Sequence, residues 1–378
     1  MLFSEIPGQV DIKNQLIRSV KEDRISHAQL FLGPEGSGSL ALALAYAQFI
    51  CCDDRQENDS CGTCASCRKY TRLIHPDLHF SYPFIVKKTD GIEVSTDVIK
   101  EWREAVTDNP FLGLEDWLLS LDAENKQPNI PIRECHDIIR KLTLKSFESE
   151  YKVLIMWLPE FLGSEGNTLL KLIEEPPAKT LFILVAENQD QIINTILSRT
   201  QLIKVKKQED REVAAYLLSH FETDESAAKR VAYLANGNIS LARKILGAEE
   251  DDLEQFFVSW MRLCYARKGV EATEMMESFS KLGRENQKNL FKTGLQILRD
   301  SMVLNEQLDE IVRFESQQFD IRKFAGIIHY GNAVPIIRDL EQAIYHIERN
   351  ANPRILFLDL SIRTMKNLQI KTVNSQLI

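Results

Sequence analysis

Positive charge is in short supply in this 378-residue chain: Lys and Arg number 46 against 55 Asp and Glu, a formal net charge of −9. That balance excludes a globally basic glove around nucleic acid, while leaving room for a local basic patch. No apolar run approaches the roughly 20 residues that a membrane span needs. The opening MLFSEIPGQVD has no basic stretch ahead of an apolar core, so no secretory signal is expected. A cytoplasmic location without membrane attachment is the resulting expectation. Cysteine is missing from most of the chain: of seven, five fall between Cys51 and Cys67. In a reducing compartment such clustering points to metal and away from disulfides. Cys135 and Cys264 stand alone and are read as small core residues.

The rest of the composition, 44% hydrophobic and 27% charged, is that of an ordinary globular protein. Its length predicts roughly two or three domains with sizeable cores.

The stretch from Ala28 to Cys67 reads as a short buried strand (Ala28–Leu32), a glycine loop, a helix apolar on all sides (Leu40–Cys51) and the cysteine cluster. Strand, glycine turn and helix in that order are the context of a phosphate-binding loop, G-x-x-x-x-G-K-[ST], and Gly33 and Gly38 have its spacing. Two chemical residues are lacking. Ser39 stands where the phosphate-reaching lysine belongs, and Leu40 where a hydroxyl would hold Mg²⁺. Gly36 and Gly38 can still offer backbone N–H groups to a phosphate, which leaves weak binding without turnover open. A second absence matches the first. The strand KVLIMWL, Lys152–Leu158, ends in Trp157 and Leu158 followed by Pro159, where a hydrolysing site needs acidic side chains. Glu160 lies beyond the proline and is not expected to stand in.

Cys61, Cys64 and Cys67 form C-x-x-C-x-x-C, and Cys52 precedes them by nine residues. Four thiolates suit a closed tetrahedral structural Zn²⁺ site, and each C-x-x-C turn offers two sulfurs to one ion. Cys51 is the alternative first ligand; spacing does not separate it from Cys52.

Elsewhere, helical spacing predicts helices over Ile6–Arg24, Val98–Val106, Trp117–Leu121, Ile132–Leu144, Asn167–Ile173, Val213–Phe221, Glu225–Leu234 and Ser240–Leu246. Ile132, Cys135, Ile138, Ile139 and Leu142 are expected on one face. Thr180–Ala186 is a third buried strand. Residues 82–128 are bounded by proline and charged stretches and read as an insertion. Beyond Glu249 the chain is expected to be helical: Leu253–Tyr265, Asn286–Leu304, Ile321–Tyr330, Val334–Asn350 and a last helix. That helix is capped by Asn352 with Pro353 at its first position, Ile355, Leu358, Ile362 and Met365 lining one face. A frayed tail is expected from Lys371.

Taken together, IPGQ (6–9), RISHAQLFLGPEGSG (24–38), the cysteine group, HPD (75–77), NTLLKLIEEPP (167–177), TILSRT (195–200) and NANPR (350–354) resemble the clamp-loader branch of the AAA+ proteins, in particular the delta-prime type of bacterial DNA polymerase III subunit. The resemblance does not cover the insertion, and the C-terminal region matches it mainly in helical character. It implies an α/β AAA+ P-loop-type domain over residues 1–206, with the zinc module and the insertion, a small helical lid over 207–248, and an all-α collar, or oligomerisation, domain over 249–378. It further implies a ring in which one subunit's P-loop holds ATP and the next supplies an arginine. Here Ser198 and Arg199 match that arginine motif, with Thr200 in place of its usual cysteine. Ser240 stands where active relatives carry a phosphate-sensing arginine. The expectation is a non-hydrolysing subunit of a hetero-pentameric loader. Its degenerate loop (Gly33, Gly36, Gly38, Ser39) turns over no Mg·ATP, and its partners are motor and delta-type subunits, a sliding clamp and primed DNA. The alternatives are an active ATPase subunit of the same loader and a zinc-dependent nucleic-acid module, which Arg55, Arg68, Lys69 and Arg72 alone would have to serve.

Overall fold

In a computed structural model, residues 1–123, 126–247, 251–308, 312, 320–349 and 351–370 are described. The expected domain boundary at 248/249, Asn350 and the tail from Lys371 lie outside them. The chain divides into two compact units, Met1–Glu222 with Ala235–Arg243, and Thr223–Leu234 with the chain from Lys244 onward.

The first unit begins with a 3₁₀ turn, Phe3–Glu5, and α1 (Val10–Lys21). That helix starts four residues later than its apolar spacing suggests because Gly8 and Gln9 both take left-handed φ near 55°. β1 (Ala28–Leu32), α2 (Ser39–Ile50), α3 (Ala65–Thr71), β2 (Leu78–Ser81), α4 (Ile99–Asp108), α5 (Leu114–Ser120), α6 (Ile132–Thr143) and β3 (Lys152–Trp157) follow. Next come α7 (Leu170–Glu174), β4 (Thr180–Ala186), α8 (Asn194–Leu197), β5 (Gln201–Lys204) and α9 (Asp210–His220). The five strands make one parallel sheet in the order β2-β3-β4-β1-β5. Leu30 is in register with Leu184 and Leu202, and Ile155 with Ile183. The three central strands are near-continuous apolar runs because helices cover both faces of a parallel sheet.

β2 and β5 carry no such signal. They are four-residue edge strands, LHFS and QLIK, and all of β5 but Ile203 is exposed. The segment read as one helix over 167–173 is also different. Residues Pro159–Leu169 coil as 3₁₀ turns broken at Gly163 (φ 52°), and only α7 is α-helical. In α6, Cys135, Ile138 and Leu142 are buried as expected, but Ile132 is exposed and Glu134 is buried in its place. The Glu134 carboxylate accepts the Ser95 N–H and hydroxyl at 2.7 Å each, so the helix gives up a polar residue to anchor residues 82–128.

That segment has a core of its own. Trp102 on α4 stacks on Tyr82 at 4.0 Å and lies 5.2 Å from both Trp117 on α5 and Trp157 at the end of β3. The Tyr82 hydroxyl donates to Ser95 O and the Trp117 indole to Pro83 O, each at 2.7 Å, so both polar tips are satisfied.

α10 (Glu225–Ala235) and α11 (Ile239–Gly247) follow, with Asn236 and Gly237 at left-handed φ between them. The second unit continues as α12 (Asp251–Tyr265), α13 (Gly269–Lys281), α14 (Arg284–Asn305), α15 (Ile321–Ala325), α16 (Tyr330–Glu348) and α17 (Pro353–Asn367). α13 has no counterpart among the expected helices, and the helix expected over 321–330 ends at Ala325. Asn352 caps α17, its side chain accepting the Arg354 N–H at 3.0 Å. The buried stripe of α17 is not the expected one. Phe357, Leu360, Ser361 and Thr364 face the core, whereas Ile355, Leu358 and Ile362 are 69%, 38% and 45% exposed. Aromatic packing decides the face: Phe357 stacks on Phe279 at 4.5 Å, and the Trp260 indole donates to Ser361 Oγ at 2.9 Å. Among the described residues, no helix is long and apolar enough to cross a membrane.

Trp102→Ala removes the centre of the aromatic cluster and is expected to cost about 3–5 kcal/mol, as for large-to-small changes at buried aromatics. Urea unfolding of the full chain checks it. A loss below about 1 kcal/mol would mean that the inserted segment is not coupled to the sheet.

Candidate functional site

The glycine loop leaves the carboxyl end of β1, where ligands of parallel sheets bind. Gly36 and Gly38 have φ of 69° and 97°, and Gly38 caps α2. Gly33, Gly36, Gly38 and Ser39 therefore lie in one turn, as their spacing suggests. The Glu35 and Glu187 carboxylates line the same turn, and burial, with Glu35 and Glu160 nearby, pushes Glu187 up to about 8. The Ser39 hydroxyl is buried and shared with Ser37 at 3.1 Å, and Leu40 is packed in the core. The Ser37 carbonyl accepts the Gln208 amide at 2.8 Å. At the end of β3, Trp157 is buried and Leu158 turns away with φ of 54°. Glu160 is committed to structure: its Oε1 accepts the N–H groups of Glu187 and Asn188 at 2.6 and 2.8 Å, beyond β4. Burial pushes its pKa up, opposed by those bonds.

Cys52, Cys61, Cys64 and Cys67 bring their sulfurs within 4.8 Å of one another. Sγ–Sγ distances are 3.6 Å for Cys52–Cys61 and 3.9 Å for Cys61–Cys67. A tetrahedral ion with bonds of about 2.3 Å needs sulfurs roughly 3.8 Å apart, so the spacing fits. The backbone supports the same reading. N–H groups of Cys61, Cys64 and Cys67 point at the sulfurs of Cys52, Cys61 and Cys64, each at 3.3 Å. Donors of this kind favour thiolates; those from Cys64 and Thr63 bring Cys61 down to about 6, whereas burial pushes Cys52 and Cys67 up. Cys51 is settled by direction: its thiol faces the Tyr151 carbonyl at 3.8 Å, away from the cluster. The four sulfurs are placed to hold a metal ion, and the Cys51 thiol is not among them.

Arg199 lies at the other end of the sheet. It shares an open hollow of about 450 Å³ with His27, Ile173, Glu174 and Ser198, and His27 immediately precedes β1. The P-loop begins just after β1, so five strand residues, roughly 17 Å, separate the two ends. Arg199 cannot reach its own glycine loop. Its Nε and Nη2 pair with Glu174, its Nη1 donates to Thr195 O at 2.8 Å and to Ser198 Oγ at 3.2 Å. The Arg199 side chain is about one-third exposed and that of Glu174 nearly half. All three guanidinium nitrogens are thus engaged, Nε and Nη2 on the same Glu174 carboxylate, in a pair that stays partly open to solvent. Sequence reasoning missed Glu174, which lies 25 residues earlier with no local signal.

Residues 8–209 match the family profile described as DNA polymerase III, delta subunit. The chain is 25% identical over 229 residues to DNA polymerase III subunit delta' of Bacillus subtilis, covering 60% of this chain and 56% of that one. It is also 25% identical over 250 residues to subunit gamma of Buchnera aphidicola, covering 65% and 57%. With subunit tau of Bacillus subtilis the identity is 24% over 250 residues, covering 65% and 37%. The chain thus spans less than two thirds of the length of these relatives. Overall identity does not separate the delta' type from the gamma type; the site residues must.

Cys64→Ser is expected to abolish metal uptake and lower the thermal midpoint, whereas Cys51→Ser leaves metal content unchanged. Elemental analysis of the two purified variants checks the assignment. Metal lost from Cys51→Ser would overturn it.

Proposed function

Since the chain belongs to the DNA polymerase III, delta subunit family, we propose that it is a non-hydrolysing, delta-prime-like clamp-loader subunit that lends Arg199 to ATP bound by a neighbouring motor subunit. The observation that carries this reading is the separation of the two ends of β1. The end that would hold its own ATP lacks the lysine, the hydroxyl and the acid, at Ser39, Leu40, Trp157 and Leu158. The end that could serve another subunit's ATP presents a partly exposed arginine side chain beside Ser198, held by Glu174. An arginine supplied in trans stabilises charge developing on the transferred phosphoryl group and is worth about 10³–10⁵ in rate at the site it completes.

On this reading residues 207–248 act as the lid and residues 249–378 as the collar through which a hetero-pentameric ring is held together. The exposed Ile355, Leu358 and Ile362 of α17 are suited to such a joint, since they form an apolar stripe one turn apart. The four-cysteine group is a structural Zn²⁺ site that ties down the chain after α2. The ring as a whole places a sliding clamp on primed DNA in replication.

Purified alone, the chain is expected to turn over no Mg·ATP above background; measurable turnover would favour a hydrolysing subunit instead. In a ring reconstituted with its motor and delta-type partners, Arg199→Ala is expected to leave assembly intact and silence the one ATP site it completes, by about 10³-fold. Unchanged single-turnover hydrolysis in that ring would sink the arginine assignment. Ile362→Asp is expected to weaken ring assembly by tenfold or more while the chain stays folded, because burying an isoleucine side chain at a joint is worth about 1.5–3 kcal/mol. Size-exclusion chromatography of the mixed subunits reads it out, and full assembly would contradict the collar role of this stripe.

A further inference from the structure

The hollow at the glycine loop is almost full. Between Gly33–Leu40, Trp157–Leu158 and Val185–Glu187 it measures only about 20 Å³, close to the room of one water molecule and far below the roughly 300–1,000 Å³ of ligand pockets. What fills it is the turn between α4 and α5. Phe111 and Leu112 are buried there, and the Phe111 ring lies 3.2 Å from where a Cβ on Gly38 would be. Glu35, inside the loop, lies against Gly113, where a Cβ would come within 2.5 Å of the carboxylate. A carboxylate in the loop is itself a poor neighbour for a polyphosphate.

The same turn is bonded to the start of α11. Asn109 Nδ2 donates to Ser240 Oγ at 2.9 Å, and the Ser240 hydroxyl donates to Asp116 at 2.7 Å. Arg243, one turn on, donates to the Asp108 carbonyl at 2.8 Å and pairs with its carboxylate at 3.3 Å. From its other side the start of α11 holds the loop directly. The Ile239 N–H donates to Gly36 O at 3.1 Å, and Asn238 Nδ2 to Glu35 at 3.2 Å. Ser240, where an active relative would place an arginine on phosphate, is thus bonded to the inserted segment.

We propose that residues 108–116 are a built-in occupant of the nucleotide seat, which they fill, close to adenine nucleotides and use to fasten the start of α11 to the glycine loop as a bound ligand would. This assigns a role to the insertion and does not depend on the arginine-donor reading, which would stand even if the seat were open.

Hydrogen–deuterium exchange on the full chain tests the fastening. Ser240→Ala removes the bonds to Asn109 and Asp116 together. Peptides covering 34–41 and 109–117 are expected to exchange about tenfold faster in concert, with β4 unchanged. Arg243→Ala, which frees Asp108, is a second break point and is expected to act in the same direction. Acceleration at 109–117 with 34–41 unmoved in both variants would overturn the proposal. The wild-type chain titrated with Mg²⁺ and the fluorescent analogue mant-ATP is expected to bind none at millimolar concentration. Saturable binding would overturn the occupant reading while leaving the Arg199→Ala result to decide the other.

Discussion

At the carboxyl end of β3, where a hydrolysing P-loop protein needs carboxylates facing Mg²⁺, the Trp157 indole packs 5.2 Å from Trp102. Trp102 in turn carries Tyr82 and Trp117, and all four rings are buried. Each such ring removes about 150–250 Å² from water, worth roughly 4–6 kcal/mol at 25 cal/mol per Å² before entropy is charged against it. A carboxylate at Trp157 would be desolvated without a partner, at a cost of several kcal/mol. An acidic strand end and this inserted core therefore exclude each other. The missing acid, the buried Trp157 and the inserted helices are one feature.

The parallel sheet gives that feature its functional meaning. β1 has a glycine loop at one end and the Arg199 hollow at the other, and no side chain spans the strand between them. On the proposed reading, a chain that fills the first end from its own sequence and keeps a partly exposed arginine, held by Glu174, at the second serves ATP held by another subunit.

The central strands and the cap of α17 were legible in the sequence because their signals are local: unbroken apolar runs for β1, β3 and β4, and Asn352–Pro353 for the helix start. The edge strands β2 and β5 were not, since four residues with exposed or polar positions carry neither period nor hydrophobicity. In α17 two apolar stripes compete, and only the aromatic neighbours Phe279 and Trp260 decide which is buried. Spacing marked the candidate metal ligands but left Cys51 and Cys52 equal; the four sulfurs that come together include Cys52 and leave out Cys51. The role of residues 108–116 was out of reach because its bonds join positions such as Asn109 and Ser240, 131 residues apart.

The central claim is that, within an assembled ring, ATP belongs to a neighbour and never to this chain. Photo-crosslinking the reconstituted ring with 8-azido-ATP, followed by peptide mapping, tests it most directly. The account predicts label on the neighbouring subunit's P-loop and none on residues 33–40 of this chain. Label on residues 33–40 would contradict it.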